Sequence, residues 1–154
     1  MTPPPFQALL DAHSVDVYRF LVASVGPVDA DDCFQDTWIA ALRAYPRLKS
    51  ADNLRAWLLR IAQRKAIDSQ RARARRAVPS DSLPEAAAAP AADGEPELWA
   101  ALRRLPHKQR AAVFCRSVIG MPYAELAELL DCSQAAARRS AHEGLKKLRE
   151  EWTP

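Results

Sequence analysis

The chain has 154 residues, 49% of them hydrophobic, which suits one ordinary domain or two very small ones. Only four glycines and few β-branched residues stand among many Ala, Leu and Arg, so the composition favours helices over strands. No apolar run approaches the length of a membrane span, and we expect neither a membrane protein nor a signal peptide.

Charge is distributed unevenly along the chain. Residues 1–76 hold twelve basic and eight acidic side chains, and residues 97–154 hold ten and seven. Between them, residues 77–96 read AVPSDSLPEAAAAPAADGEP, with four acids, no base, four prolines and no apolar period. This composition predicts a flexible linker. We therefore predict an all-α protein of two small helical domains, residues 1–76 and 97–154, joined by residues 77–96.

The first domain is predicted to hold three helices. Apolar residues at spacings of three and four favour a helix from about Phe6 to Val25, ending at Gly26-Pro27. A second helix is predicted to start at Asp29 as N-cap and to stop at Pro46. Its predicted buried stripe consists of Phe34, Trp38, Ala41, Leu42 and Tyr45. The third helix is predicted from about Asn53 to Arg76.

The outward face of the second helix is acidic. If its aromatic stripe points inward, the outer face carries Asp32, Gln35, Asp36, Ile39 and Arg43. Acids near a helix amino terminus often serve only the helix dipole, which is worth about 0.3–1 kcal/mol each. The helix dipole does not explain an exposed Ile39 or the amide of Gln35. These two side chains suggest a protein partner.

The third helix carries a row of arginines. At 100° per residue, Arg60, Arg64, Arg71 and Arg75 fall within an arc of about 60°, with Trp57 at its margin. Guanidinium groups beside an aromatic ring suit phosphate contacts and stacking on an unpaired base. The alternative is a solvated basic face with Trp57 as an ordinary core residue.

The second domain is predicted to end in a helix-turn-helix. A helix over Glu97–Leu105 precedes one that starts at Pro106 and is closed by Gly120. A short helix from Pro122 to Leu130, a three-residue turn and a helix from Gln134 follow. Ser133 is the predicted N-cap of the last helix, whose basic face would read DNA; an ordinary helical hairpin is the alternative.

No catalytic or metal site is predicted. The chain lacks a Gly-rich phosphate loop and a G-x-S-x-G motif, and no His lies at a helical spacing that would activate Cys115. The three cysteines have no paired spacing and the histidines are scattered, so we expect no zinc, no cofactor and a reducing cytoplasmic location. An enzyme is not expected.

Three blocks of sequence resemble the extracytoplasmic-function (ECF) sigma factors of bacterial RNA polymerase. DADDCFQDTWIAAL resembles the family segment that docks on the β′ coiled coil, and NLRAWLLRIAQRKAIDSQRARARR resembles the segment that opens and reads the −10 element. LRRLPHKQRAAVFCRSVIGMPYAELAELLDCSQAAARRSAHEGLKKLRE resembles the domain that reads the −35 element. The recognition helix departs from the family pattern at Gly144, which is expected to cost about 1 kcal/mol of helix stability relative to Ala.

The resemblance implies an alternative sigma factor that binds core RNA polymerase and promoter DNA and is restrained by an anti-sigma factor. It implies contacts to core polymerase, including its β flap, and assigns the β′ contact to Asp32, Gln35, Asp36 and Ile39. The −10 element is assigned to Trp57, Arg60, Arg64, Arg71 and Arg75. The −35 element is assigned to Ser133, Gln134, Arg138, Arg139, His142 and Lys146. The alternatives are a helix-turn-helix regulator that never binds polymerase and a helical adaptor protein that does not bind nucleic acid.

Overall fold

The computed structural model describes residues 4–76 and 96–151, so the predicted linker, apart from Pro96, lies outside the described residues. Within these ranges the chain forms seven α-helices and no strand, as the composition predicts. The helices are α1 Phe6–Val25, α2 Pro27–Ala44, α3 Leu54–Arg76, α4 Pro96–Arg103, α5 His107–Phe114, α6 Tyr123–Leu130 and α7 Gln134–Glu151. The exact domain boundaries remain a prediction.

Gly26 separates α1 from α2. Its φ of 88° lies in a region that glycine adopts easily, and its amide donates to the Val22 carbonyl at 2.9 Å to close α1. Its own carbonyl accepts the Ala30 amide at 3.1 Å, which opens α2. The predicted start of α2 at Asp29 is therefore wrong. Pro27 occupies the first turn, where its missing N–H leaves no donor unsatisfied.

The helices α1, α2 and α3 form the first domain around a common apolar core. α1 contributes Val17, Phe20 and Leu21, and α3 contributes Leu58 and Leu59, all of them fully buried. A short 3-10 turn, Tyr45–Arg47, follows α2, and the Tyr45 hydroxyl donates to the Pro4 carbonyl. This turn and the following loop bring Trp57 of α3 within 6.1 Å of the Tyr45 ring. The core therefore fixes the orientation of α3 relative to the acidic helix α2.

The second domain consists of α4 to α7. α5 continues as a five-residue π-helical turn, Cys115–Ile119, which Gly120 ends in the left-handed region at φ 81°. The predicted end at Gly120 is confirmed, but the π turn was not predicted. Asp131 ends α6 in the left-handed region at φ 58°, and the Ser133 hydroxyl accepts the Ala136 amide at 3.0 Å. The predicted helix-turn-helix and its N-cap are therefore confirmed.

Gly144 is buried where α7 crosses α5. A Cβ atom at this position would lie 2.6 Å from the Val113 Cγ2 atom and 3.0 Å from the Gln109 carbonyl oxygen. Both separations are shorter than ordinary van der Waals contact. Gly144 therefore permits the close approach of α5 and α7. The packing gained at this crossing offsets the low helix propensity of glycine.

The two domains pack directly against each other. The Phe20 and Phe114 rings meet edge to face at 5.9 Å, and the buried apolar residues form one cluster across both domains. Arg110 is 3% exposed and donates to the Arg103 and Leu105 carbonyls and to the Gln70 side chain of α3. Burial and the nearby Arg103 lower the pKa of Arg110 to about 10, so it remains charged at neutral pH.

None of the helices in residues 4–76 and 96–151 is sufficiently long and apolar to span a membrane.

Candidate polymerase and nucleic-acid interfaces

The exposed side of α2 carries the predicted acidic face. Trp38 is 7% exposed and packs edge-on against Phe6 and Phe34, with ring centroids 5.8 and 6.2 Å away. The Thr37 hydroxyl is also buried and donates to the Cys33 carbonyl at 2.7 Å. This packing turns the predicted residues outward, and all four are exposed: Asp32, Gln35, Asp36 and Ile39.

Leu42 belongs to this exposed face, so its predicted burial is wrong. Its side chain is 55% exposed, next to Ile39 at 48%. Phe6 packs against Trp38 and Tyr45, and Leu42 lies about 60° round the helix from Tyr45, toward Ile39. Periodicity could not reveal this, because the apolar stripe of α2 is wider than the surface that α1 covers. Two neighbouring aliphatic side chains therefore stand beside the carboxylates.

The acidic face borders α3 on the side away from the arginine row. Asp29 forms an ion pair with Arg73 at 2.9 Å. Asp32 and Asp36 line a cleft of about 310 Å³ together with Lys65 and Arg76. These basic residues are rotated by about 100° or more round α3 from the centre of the arginine row. The carboxylates and the row thus occupy different surfaces of the first domain.

The arginine row lies on the surface of α3. Arg64, Arg71 and Arg75 are exposed, and the Arg60 side chain is 42% exposed. Trp57 is half-buried at the margin of the row, and it packs against the apolar core. It also lines a cleft of about 260 Å³ formed mainly by the loop before α3, with Lys49, Ser50, Asp52, Asn53, Arg60 and Glu128 on its walls.

The predicted recognition helix α7 packs through small residues. Ala137, Ala141 and Gly144 are buried against the rest of the domain. The predicted −35 residues are all exposed, namely Ser133, Gln134, Arg138, Arg139, His142 and Lys146. The five of these residues that lie within α7 fall in an arc of about 140°, so they form one continuous exposed face of the helix.

Two residues beside this face were missed by sequence reasoning. The guanidinium groups of Arg116 and Arg138 stack over the Tyr123 ring, at 4.3 and 4.7 Å from its centroid. Cation–π contacts of this kind restrict where a long side chain can lie. Tyr123 thereby positions Arg138 at the start of the recognition surface. No local sequence signal relates three residues on three different elements.

Contacts between α3 and α6 were also missed. Arg55 donates two hydrogen bonds to Glu125, at 2.9 and 3.0 Å, and the Asn53 amide donates to Glu128 at 2.9 Å. Arg60 lies 3.5 Å from Asp131. The partners are about seventy residues apart in sequence, so no periodic pattern could indicate them.

Two of the three cysteines, Cys33 and Cys115, are buried. Cys115 is fully buried, and burial raises its pKa. Burial also raises the pKa of the Cys33 thiol, which lies beside Asp29, Asp32 and Asp36. Both thiols are therefore protonated at neutral pH. Across residues 4–76 and 96–151, no three His, Cys, Asp or Glu side chains converge as metal ligands.

Both halves of the chain match models of known protein families. Residues 9–76 match the model of sigma-70 region 2, and residues 96–148 match that of sigma-70 region 4. The chain is 33% identical to the ECF RNA polymerase sigma factor SigD of Mycobacterium tuberculosis, over 88% of this chain and 71% of the relative. It is 30% identical to the ECF RNA polymerase sigma factor SigX of Bacillus subtilis, over 94% and 81%.

Solved structures share the fold. The sigma factor RpoE of Bartonella quintana, determined in complex with the anti-sigma factor NepR, superposes with a TM-score of 0.77 at 24% identity and covers 94% of both chains. The matches to both sigma regions do not favour a helix-turn-helix regulator that acts without polymerase. Sigma factors are not enzymes; they bind core RNA polymerase and promoter DNA. The chain belongs to the ECF sigma factors and is an alternative sigma factor that directs transcription initiation.

Proposed function

We propose that this sigma factor uses separate surfaces of its first domain for polymerase and for the opened promoter. The acids and aliphatic side chains of α2 dock on the β′ coiled coil of core polymerase. The arginine row of α3 holds the backbone of the separated −10 strand, and Trp57 stacks on an unpaired base. One observation carries this proposal: the row is exposed, and Asp32 and Asp36 lie on another surface.

The second domain reads the duplex upstream. Its face on α7 enters the major groove at the −35 element, where Arg138 and Arg139 reach base edges or phosphates. Residues 77–96 set the distance between the two promoter contacts. The chain contributes binding and strand separation, with no catalytic group of its own, and works in the bacterial cytoplasm beside the polymerase.

An anti-sigma factor is a further proposed partner. One structural neighbour, the sigma factor RpoE, was solved in complex with the anti-sigma factor NepR. We expect the partner of this chain to compete for the exposed faces of α2 or α7, since these are the surfaces that polymerase and promoter need.

Charge reversal on α2 tests the polymerase contact. Asp36→Arg should abolish co-elution of the purified chain with core polymerase, because it places a cation where the proposed interface requires an anion. Asp11→Arg is the matched control, an exposed acid on α1 outside the face, and should co-elute like the wild type. Co-elution of Asp36→Arg at the wild-type level would contradict the proposed docking surface.

A further inference from the structure

Tyr45 contacts Trp57 from outside the cleft that Trp57 lines. The centroids of the two rings are 6.1 Å apart, and the ring planes meet at 45°. Trp57 and Arg60 line the cleft of about 260 Å³, whereas Tyr45 does not. Among residues 4–76 and 96–151, Tyr45 is the only aromatic residue whose ring contacts Trp57. Tyr45 therefore supports the indole from a side that leaves its cleft face free.

Three contacts hold Tyr45 in place. Its carbonyl accepts the Leu48 amide at 3.0 Å, which closes the 3-10 turn that follows α2. Its hydroxyl donates to the carbonyl of Pro4, which lies 41 residues earlier in the chain. The Phe6 ring packs against the Tyr45 ring edge to face, with centroids 5.3 Å apart. The backbone, the hydroxyl and the ring of Tyr45 are thus all fixed by neighbouring groups.

This support matters because of the role proposed for Trp57. An indole that stacks on an unpaired base must keep one orientation, and a ring that is already held loses less conformational freedom on binding. The loop that lines the cleft carries Lys49, Ser50 and Asp52, which are exposed polar residues and offer no rigid apolar surface. The Tyr45 ring provides that surface, since aromatic rings pack favourably on one another at this separation.

We propose that Tyr45 is the positioning residue of Trp57, and that residues 4–6 hold Tyr45 in turn. Tyr45 does not bind DNA itself; it keeps the indole in the orientation in which an unpaired base can stack on it. The inference rests on the stacking role of Trp57 in the proposed function. It adds that the amino-terminal end of α1, through Phe6 and Tyr45, belongs to the support of the −10 site.

Two labelled single strands of about 20 nucleotides separate base stacking from backbone binding. One is oligo(dT), and the other is an abasic strand of the same length, which has the phosphates but no bases. The arginine row binds both strands, whereas Trp57 stacks only on the first. The ratio of the abasic Kd to the oligo(dT) Kd, measured on the full chain by fluorescence anisotropy, therefore reports stacking. We expect a wild-type ratio of about five or more.

Substitution of Tyr45 tests the positioning role. Tyr45→Leu should lower the ratio to within about twofold of that of Trp57→Leu, while the Kd for the abasic strand stays at the wild-type value. Tyr45→Phe should retain the wild-type ratio, because its ring stays between Phe6 and Trp57. A ratio in Tyr45→Phe as low as that in Tyr45→Leu would overturn the inference, since the ring contact would then not be what orients the indole.

A double variant shows whether Tyr45 acts through Trp57. Tyr45→Leu/Trp57→Leu should have the same ratio as Trp57→Leu, because a positioning residue has no effect once the residue that it positions is gone. A lower ratio in the double variant would mean that Tyr45 stacks on a base itself, which contradicts the positioning role.

Tyr18→Leu is the matched control. Tyr18 is also a partly buried tyrosine with an edge-to-face ring contact, but its partner is Phe34, at 5.5 Å. We expect the control to keep the wild-type ratio, and melting curves establish that every variant is folded at the temperature of the measurement. If Tyr18→Leu lowers the ratio as much as Tyr45→Leu does, the effect is a general loss of packing and the inference is wrong.

Trp57→Leu separates failure of this inference from failure of the proposed function. If Trp57→Leu lowers the ratio but Tyr45→Leu keeps it, Tyr45 does not position the indole and the proposed function stands. If Trp57→Leu keeps the wild-type ratio, or if the wild type binds both strands equally or binds neither, the stacking role of Trp57 is wrongly assigned. The inference is then overturned together with that role.

Discussion

At the scale of single residues, the exposure of Leu42 changes the composition of the proposed polymerase face. It was expected in the core but is exposed next to Ile39. An aliphatic pair flanked by Asp36 and Gln35 has the apolar centre and polar rim of a protein–protein interface.

Leu42→Arg is therefore expected to raise the Kd for core polymerase by about tenfold or more, as loss of a central apolar contact does. Val15→Arg is the matched control, because Val15 is 66% exposed on α1 and lies outside the face. Both variants should keep the wild-type melting temperature. Equal polymerase affinities for the two variants would remove Leu42 from the interface.

His13 provides a second test at this scale. Burial and the nearby Arg55 lower its pKa, against the weaker raising effects of Asp16 and Glu125. The unfolded chain therefore binds a proton on His13 more readily than the folded chain. The stability that depends on neutral His13 is present above its ordinary pKa of about 6.5 and is lost as the pH falls below it.

We expect His13→Gln to reduce the drop in melting temperature between about pH 7.5 and about pH 5.5. His142→Gln, at an exposed position on α7, should retain the wild-type pH dependence. Thermal melts monitored by circular dichroism at both pH values provide the comparison. An identical drop in His13→Gln and the wild type would show that His13 does not contribute to the acid sensitivity.

At the scale of helices, most of the architecture follows from the sequence. Apolar spacing and the Gly26-Pro27 pair defined α1, and the absence of Gly or Pro allowed α3 to extend to Arg76. Ser133 identified the start of α7. The start of α2 was mispredicted because Pro27 and Asp29 are both good starting residues, and only the φ of Gly26 decides between them.

The close packing of α5 against α7 could not be predicted from the sequence. Substitution of Gly144 tests whether this packing requires glycine. Gly144→Ala should lower the free energy of unfolding by about 1–3 kcal/mol, although Ala favours helices, because its Cβ overlaps Val113. Chemical denaturation measures the change. Val113→Ala in the same chain should recover part of the loss by making room. A Gly144→Ala variant more stable than the wild type would mean that helix propensity, and not the close helix crossing, dominates the stability at this position.

At the scale of the molecule, two oppositely charged surfaces share one small domain, and the second domain lies against one of them. Which residues are acidic or basic, and which helix they lie on, could be predicted from the sequence. The docking of α6 on α3 could not, because ion pairs such as Arg55–Glu125 join positions seventy residues apart without any local period. The proposed polymerase face remains exposed in this arrangement, and at the −10 surface Arg60 lies 3.5 Å from Asp131 of the second domain.

The separation of the two surfaces is tested most directly by the core-polymerase affinity of Asp36→Arg and Arg71→Ala, measured side by side. The account predicts that Asp36→Arg raises the Kd for polymerase by about tenfold or more. Arg71→Ala should leave that Kd at the wild-type value while lowering the salt slope of binding to forked DNA by about 1. Loss of polymerase affinity in Arg71→Ala equal to that in Asp36→Arg would contradict the account.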